Sequence, residues 1–327
     1  MLLAASSWLA CAGSPARTTT STGDDRPVVA AARPVPGSAS GSVAASGSVA
    51  EPEPVAEADA APAPDYDLDA DLARREEIAR AALGDEVHLE RVEGVFLLVG
   101  APPMNRRGFE RAVRLVHRTV AAYLENRFAA LPERAVGVYL FPTKRPYAAY
   151  CKEHYGGCGT PYGVYYHGDR RIVMNIGPGS GTLTHELVHP ILESDFPDAP
   201  TWIDEGIASL FERPHFPEPG EIHGRKNWRY PRLARALRSR SERDLVTLDR
   251  LVGLSDDIFR GGDEDLYYAM ARYVCQWLDS QDKLWPFYQR WRDNVESDPT
   301  GARAFGEIVG KTPAEANAEW VRWVKRL

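Results

Sequence analysis

Apolar residues recur with regular spacing along most of the chain, and the spacing changes from strand-like to helical. Two short apolar runs flank Gly94, and residues 135–141 have the composition of a buried strand. Between them, apolar residues at intervals of three and four predict a helix over 105–128. That apolar stripe contains Phe109, Val113, Val116, Val120 and Leu124.

A hairpin is predicted next, followed by helices only. Its strands are 163–166 and 171–176, joined by residues 167–170. The segments after it, including 263–281, show helical spacing up to the C-terminus. Because strands come early and helices late, the pattern predicts an α+β fold with a mixed sheet and a mainly helical C-terminal lobe.

The segment 184–192 contains the motif H-E-x-x-H, formed by His185, Glu186 and His189. Residues four apart on a helix lie on one face, so both imidazoles can bind one metal ion. Glu186 is then close enough to take a proton from a water at that ion. This arrangement is typical of hydrolytic zinc sites.

A third ligand is expected because a catalytic zinc ion uses three protein ligands and keeps one position open. Glu205, in the sequence TWIDEGIASLFE, lies on the next predicted helix, with residues 190–204 between it and His189. The sequence therefore predicts a His, His, Glu ligand set.

The two motifs HELVH and WIDEGIASLFE together resemble those of gluzincin metallopeptidases, most closely the bacterial peptidase MA-like group. The resemblance covers roughly residues 85 to 325. It implies a two-lobed zincin-like domain with a cleft between the lobes, and zinc bound by His185, His189 and Glu205. It also implies that Glu186 is the general base and that Tyr268 hydrogen-bonds the oxyanion, with Tyr267 the second choice and aromatic packing the alternative role.

The orientation of the ligands is left open by the sequence. Ser209 stands where related enzymes carry an aspartate, so Asp204, Glu212 or a backbone carbonyl would have to orient a ligand histidine. The resemblance also implies that the strand before the metal helix, residues 172–176, lies at an exposed sheet edge and pairs with substrate.

Several local features carry further expectations. Pro190 removes a backbone donor and predicts a kink or an early helix end. Thr201 with Asp204 has the spacing of an N-terminal cap. The small residues Gly206 and Ala208 permit a close approach of their helix to the metal helix. His117, beside the apolar stripe, is expected to be structural.

Composition limits the remaining possibilities. The formal net charge is −7 and 44% of residues are hydrophobic, so a core can form and a nucleic-acid partner is not expected. In an exported protein, Cys151 and Cys158 are expected to form a local disulfide, because a zinc ribbon would need a second cysteine pair, which the sequence does not contain. Cys275, on an apolar helix face, is expected to be a buried thiol.

The N-terminus predicts export from the cytoplasm. Residues 1–12 resemble the end of a secretory signal, and Cys11 resembles the attachment cysteine of bacterial lipoproteins. The alternative is an ordinary signal cleaved near Ala12. Residues 13–65, rich in Ala, Pro and Ser, are expected to be a disordered linker before a peptidase domain at 66–327. A location in the bacterial cell envelope follows.

These inferences favour a zinc-dependent peptidase that acts on peptides or proteins and contacts a membrane only through a lipid on Cys11. The main alternative is a non-catalytic scaffold lipoprotein with the same fold. A zinc hydrolase acting on a non-peptide amide or ester is a third possibility.

Overall fold

The computed structural model describes residues 66–327. The predictions made for residues 1–12, for Cys11 and for the linker 13–65 lie outside the described residues. In the described part, no helix has both the length and the apolar character needed to cross a membrane.

A five-stranded mixed sheet forms the N-terminal half, with strand order β1-β2-β3-β5-β4. The central pairs β2–β3 and β3–β5 are parallel, whereas the outer pairs β1–β2 and β4–β5 are antiparallel. The strands are β1 His88–Val92, β2 Phe96–Gly100, β3 Val136–Phe141, β4 Gly163–Tyr166 and β5 Arg171–Asn175. A short two-stranded ribbon, β6 Pro214–His215 and β7 His223–Gly224, lies apart from this sheet.

Helices cover the sheet and make up nearly all of the C-terminal half. The first three are α1 Leu68–Leu83, α2 Arg106–Leu124 and α3 Lys144–Tyr155. The next are α4 Gly181–Glu186, α5 Val188–Asp195, α6 Thr201–Leu210, α7 Tyr230–Ala236, α8 Leu248–Val252 and α9 Asp256–Phe259. The last are α10 Glu264–Asp279, α11 Leu284–Arg292, α12 Ala302–Val309 and α13 Pro313–Arg326. The predicted α+β class is confirmed.

The central strands are apolar throughout because both faces of the sheet are covered. In β2, Phe96 and Leu98 pack with α2 and the C-terminal helices, whereas Leu97 and Val99 belong to a second core beneath α1 and α3. This alternation follows from the two-residue repeat of a strand. The larger core continues from the sheet into the helical half, and the metal motif lies within it.

The predicted hairpin is confirmed, but the prediction of which strand is exposed at the edge is wrong. β5, which contains Ile172, pairs with β3 on one side and β4 on the other, and all its residues are buried. The hairpin folds its first strand outward, so β4 is the edge strand. An added peptide strand would therefore have to pair with β4.

Two local predictions about helices need correction. The interruption of the metal helix is at Leu187, between α4 and α5, and the helix then runs through Pro190 to Asp195. Proline lacks the donor that would bond the carbonyl of Glu186, which explains a break one turn earlier. Thr201 is not a cap, because its hydroxyl donates to Asp256 at 2.5 Å and Pro200 occupies the cap position of α6.

Gly206 serves a different contact from the one predicted, although α6 also packs against α4 and α5. A Cβ on Gly206 would lie 2.8 Å from Cys275 Sγ and 3.1 Å from the carbonyl oxygen of Ala271, both on α10. The close approach is therefore between α6 and α10. Cys275 is a buried free thiol, and Cys151 and Cys158 form a disulfide, as predicted.

Candidate metal centre

Three side chains from two segments converge at the centre of the molecule. One ligand atom each from His185, His189 and Glu205 can be chosen so that all three lie within 4.8 Å of one another. Their exposed fractions are 0%, 1% and 0%. Two imidazole nitrogens and a carboxylate oxygen at this spacing can hold a divalent metal ion.

Local structure explains the convergence. His185 lies in the last turn of α4 and His189 in the first turn of α5, and Leu187 between them keeps right-handed helical angles, φ −68° and ψ −21°. Because Leu187 keeps these angles, both imidazole rings stay on the same side of the interrupted helix. Helix α6 packs against both α4 and α5 and presents Glu205 from the opposite side.

The hydrogen-bonding state of these atoms tests whether a metal ion fits. Among the described residues, Nε2 of His185, Nε2 of His189, Oε2 of Glu205 and both carboxylate oxygens of Glu186 have no hydrogen-bond partner. Buried polar atoms in native proteins are nearly always bonded. Five such atoms grouped in one place fit a bound cation together with a water or substrate oxygen.

His189 is oriented by Asp204. Its Nδ1 lies 2.8 Å from Asp204 Oδ1, so the ring donates there and directs Nε2 toward Glu205 and His185. Asp204 is one of the three candidates that the sequence left open for this role.

Glu212 faces the other histidine. Its Oε1 lies 3.6 Å from His185 Nδ1, which is an electrostatic contact and too long for a hydrogen bond. Arg229 donates to both carboxylate oxygens of Glu212 at 2.7 to 3.2 Å, and the Asn227 amide donates to Oε2 at 2.7 Å. Arg229 and Asn227 therefore hold the Glu212 carboxylate in place behind His185.

Arg260 is a site residue that sequence reasoning missed. Its Nη2 donates to Glu205 Oε1 at 3.1 Å and its Nη1 donates to the Tyr268 hydroxyl at 3.3 Å. It lies 55 positions from Glu205 in an ordinary polar loop, and no local pattern marks it. The contact leaves Oε2 of Glu205 as the oxygen that faces the histidines.

Tyr268 is placed beside the ligands, whereas the second choice, Tyr267, is not. Tyr268 is buried against Glu205 and Arg260, and burial together with the Glu205 charge raises the pKa of its phenol well above 10. It stays a proton donor at neutral pH. The Tyr267 hydroxyl instead accepts a hydrogen bond from Arg250 at 3.2 Å.

Burial and neighbouring charges set the protonation of the motif in the absence of an ion. Burial lowers the pKa of His185 well below its usual value, helped by the charges of His189 and Arg229. Burial alone would lower the pKa of His189, but Asp204 outweighs it and raises the value to about 10. Burial raises the pKa of Glu186 to about 8 against the opposing charge of His189. A bound cation would displace the proton on His189 and favour the Glu186 carboxylate.

A cavity of about 170 Å³ adjoins the site on the Asp204 side of His189. Ionisable groups make up much of its wall, and Leu192 and Phe196 supply an apolar part. The ionisable residues are His167, His189, Glu193, Asp204 and Arg260. Arg260, whose side chain is 24% exposed, separates Glu205 from this space.

Comparison with known proteins gives no family: no protein-family model matches the chain, and no curated protein matches it.

Proposed function

We propose that the protein is a zinc-dependent peptidase of the gluzincin type, exported or lipid-anchored through Cys11. The observation that carries the proposal is the buried group of His185, His189 and Glu205 with their unbonded ligand atoms. Two imidazoles and one carboxylate match the donor set of hydrolytic zinc sites. The Cys151–Cys158 disulfide supports an oxidising compartment such as the cell envelope.

The chemistry follows from the residues around this group. When bound, Zn²⁺ would polarise a substrate carbonyl and acidify a water. Glu186, whose carboxylate has no other partner among the described residues, would take the proton from that water and pass it to the leaving amine. The Tyr268 hydroxyl would donate a hydrogen bond to the oxyanion. Arg260 would hold both Tyr268 and Glu205 in place.

A two-lobed arrangement with a substrate cleft is part of the same proposal. The sheet with α1 to α3 would form one lobe and the helices after α6 the other, with the metal motif between them. Peptide substrate would add to the edge strand β4. Since the motif side chains are almost fully buried, entry of a peptide requires movement of the residues that cover them.

That burial also favours the second candidate, a scaffold protein that keeps a metal for stability. Glu186 and the three ligands are each at most 1% exposed, which is the condition expected of a structural site. Glu186 argues against it, because a structural site gains nothing from a buried carboxylate without a partner.

The decisive experiment compares the full chain with Glu186→Gln and His189→Ala. Zinc affinity is measured by competition with a chelator, and cleavage is measured on a broad peptide library. We expect Glu186→Gln to bind zinc as the parent does but to cleave about 10²- to 10⁴-fold more slowly. We expect His189→Ala to lose both properties.

Other results would reject the proposal in distinct ways. If the parent protein and Glu186→Gln both bind zinc and neither cleaves any peptide, the peptidase proposal is rejected in favour of the scaffold candidate. If the parent protein binds no zinc with excess metal, the ligand assignment itself is wrong.

A further inference from the structure

One face of α2 carries a row of arginines. Arg107, Arg111, Arg114 and Arg118 are spaced by four, three and four residues, which places them along a single helix face. All four are exposed, whereas the opposite face of α2 packs on the sheet. The row, here called the arginine stripe, extends for about 17 Å at 1.5 Å per residue.

The arginine stripe has no acidic partner within residues 66–327. None of its four guanidinium groups pairs with a carboxylate there, and Glu110, on the same helix, pairs with Arg106 at 3.0 Å. Arg118 instead donates to the Phe216 carbonyl at 2.9 Å and lies 4.5 Å from the centre of that ring. Like charges one turn apart repel each other, so the stripe has an unmet preference for an anion.

An open groove runs beside the C-terminal half of the stripe. Leu115 and Ala121 give it apolar surface, and cationic or titratable side chains border it. Those side chains are Arg114, His117 and Arg118, and Glu93 also lines the groove, with its Oε1 2.6 Å from His117 Nδ1. An apolar groove with a cationic border suits an acidic peptide that also contains small apolar residues.

The chain itself contains such a peptide directly before the described residues. Residues 51–65 include five acidic residues, several alanines and no lysine or arginine. The acidic residues are Glu51, Glu53, Glu57, Asp59 and Asp65. In a protein with a net charge of −7, this segment and the arginine stripe are complementary in both charge and composition.

The segment joins the described chain close to the groove. The Tyr66 hydroxyl accepts a hydrogen bond from the backbone N–H of Ala135 at 2.7 Å, immediately before β3. The start of β3 pairs with the start of β2, and the turn before β2 holds Glu93, which contacts His117. A segment of this length spans about 20 Å as a random chain and about 50 Å fully extended, so it reaches the whole stripe.

We propose that the acidic segment 51–65 docks on the arginine stripe and its groove. A short covalent connection gives an effective concentration in the millimolar range, so weak charge contacts suffice to populate the docked state. Docking would hold the acidic segment against the exposed face of α2. The inference does not depend on the metal site.

The test measures distances in the full chain with spin labels at Val55→Cys and Ala130→Cys, in a Cys11→Ser background. Pulsed electron paramagnetic resonance should show a short-distance population at low salt. That population should fall at least fivefold at 0.5 M salt, where charge interactions over more than about 4 Å are screened. It should fall equally in the triple variant Arg107→Gln, Arg111→Gln, Arg114→Gln.

A matched control removes the same charge elsewhere. Arg235→Gln, Arg238→Gln and Arg240→Gln change three other exposed arginines and should leave the short-distance population intact. If the distance distribution changes neither with salt nor with the stripe substitutions, the proposal is overturned. So does a result in which the stripe substitutions alter only binding to vesicles of anionic phospholipid, since the stripe would then serve a membrane surface.

Discussion

At the scale of single residues, the site depends on groups that hold the ligands as much as on the ligands. Asp204 fixes the ring of His189, and the Arg229–Glu212 ion pair lies behind His185. Asp204 directly precedes Glu205 in the sequence and could be suspected from the motif. Arg229 could not, since its partner is 17 positions away.

Asp204→Ala tests the orienting role. Loss of the 2.8 Å contact frees the His189 ring, so we expect zinc affinity to fall about 10- to 100-fold. Chelator competition measures the change. Asp198→Ala, an exposed aspartate in the preceding loop, should leave the affinity unaltered. An equal affinity in Asp204→Ala and the parent would show that Asp204 does not orient the ligand.

At the scale of elements, the packing of α6 against α10 places Glu205 and Tyr268 on facing helices. The two helices approach so closely at Gly206 that no side chain fits there. Helical spacing predicted both helices correctly, but it could not show that α10 is the partner, because the sequence separation between them is large. The edge strand was predicted wrongly for the same reason, because the two-residue repeat of a strand does not show which other strands it pairs with.

Gly206→Ala tests this contact. The added methyl group would meet Cys275 Sγ at 2.8 Å, so we expect a loss of about 1–3 kcal/mol in the free energy of unfolding, measured by urea denaturation. The matched control is Gly306→Ala in α12, where a Cβ meets nothing within 4 Å. That variant should gain about 0.5–1 kcal/mol from helix propensity. Equal effects of the two substitutions would mean that the α6–α10 contact is not tight.

At the scale of the whole molecule, Asp71 attaches the N-terminal helix to the rest of the chain. Its carboxylate accepts hydrogen bonds from the Tyr66 hydroxyl at 2.8 Å and from Arg170 in the distant hairpin at 3.1 Å. Arg74 and Arg75, from the same helix, also donate to it. Burial would raise its pKa, but these donors outweigh burial and hold the pKa of Asp71 well below its usual value.

The lowered pKa of Asp71 makes the stability of the fold depend on pH. Because the pKa is lower in the folded state than in the unfolded state, the stabilisation is complete above about pH 4 and is lost as the pH falls through the folded-state pKa. We expect Asp71→Asn to lower the free energy of unfolding by about 2–4 kcal/mol at pH 7, with a smaller difference at pH 3. Urea denaturation at the two pH values measures both. The exposed Asp85→Asn should change neither value, and a pH-independent deficit in Asp71→Asn would contradict the charge argument.

The sequence alone determined the main helices and strands and two of the candidate metal ligands. Hydrophobic periodicity indicates the helices and strands, and the spacing of His185 and His189 places both rings on one helix face, because both properties depend only on neighbours along the chain. Tertiary structure decided what depends on distant partners: that Glu205 reaches the same point, that Arg260 holds it, that β4 is the edge, and that α10 packs on Gly206. Those relations arise from packing between segments up to 70 residues apart, and no local pattern records them.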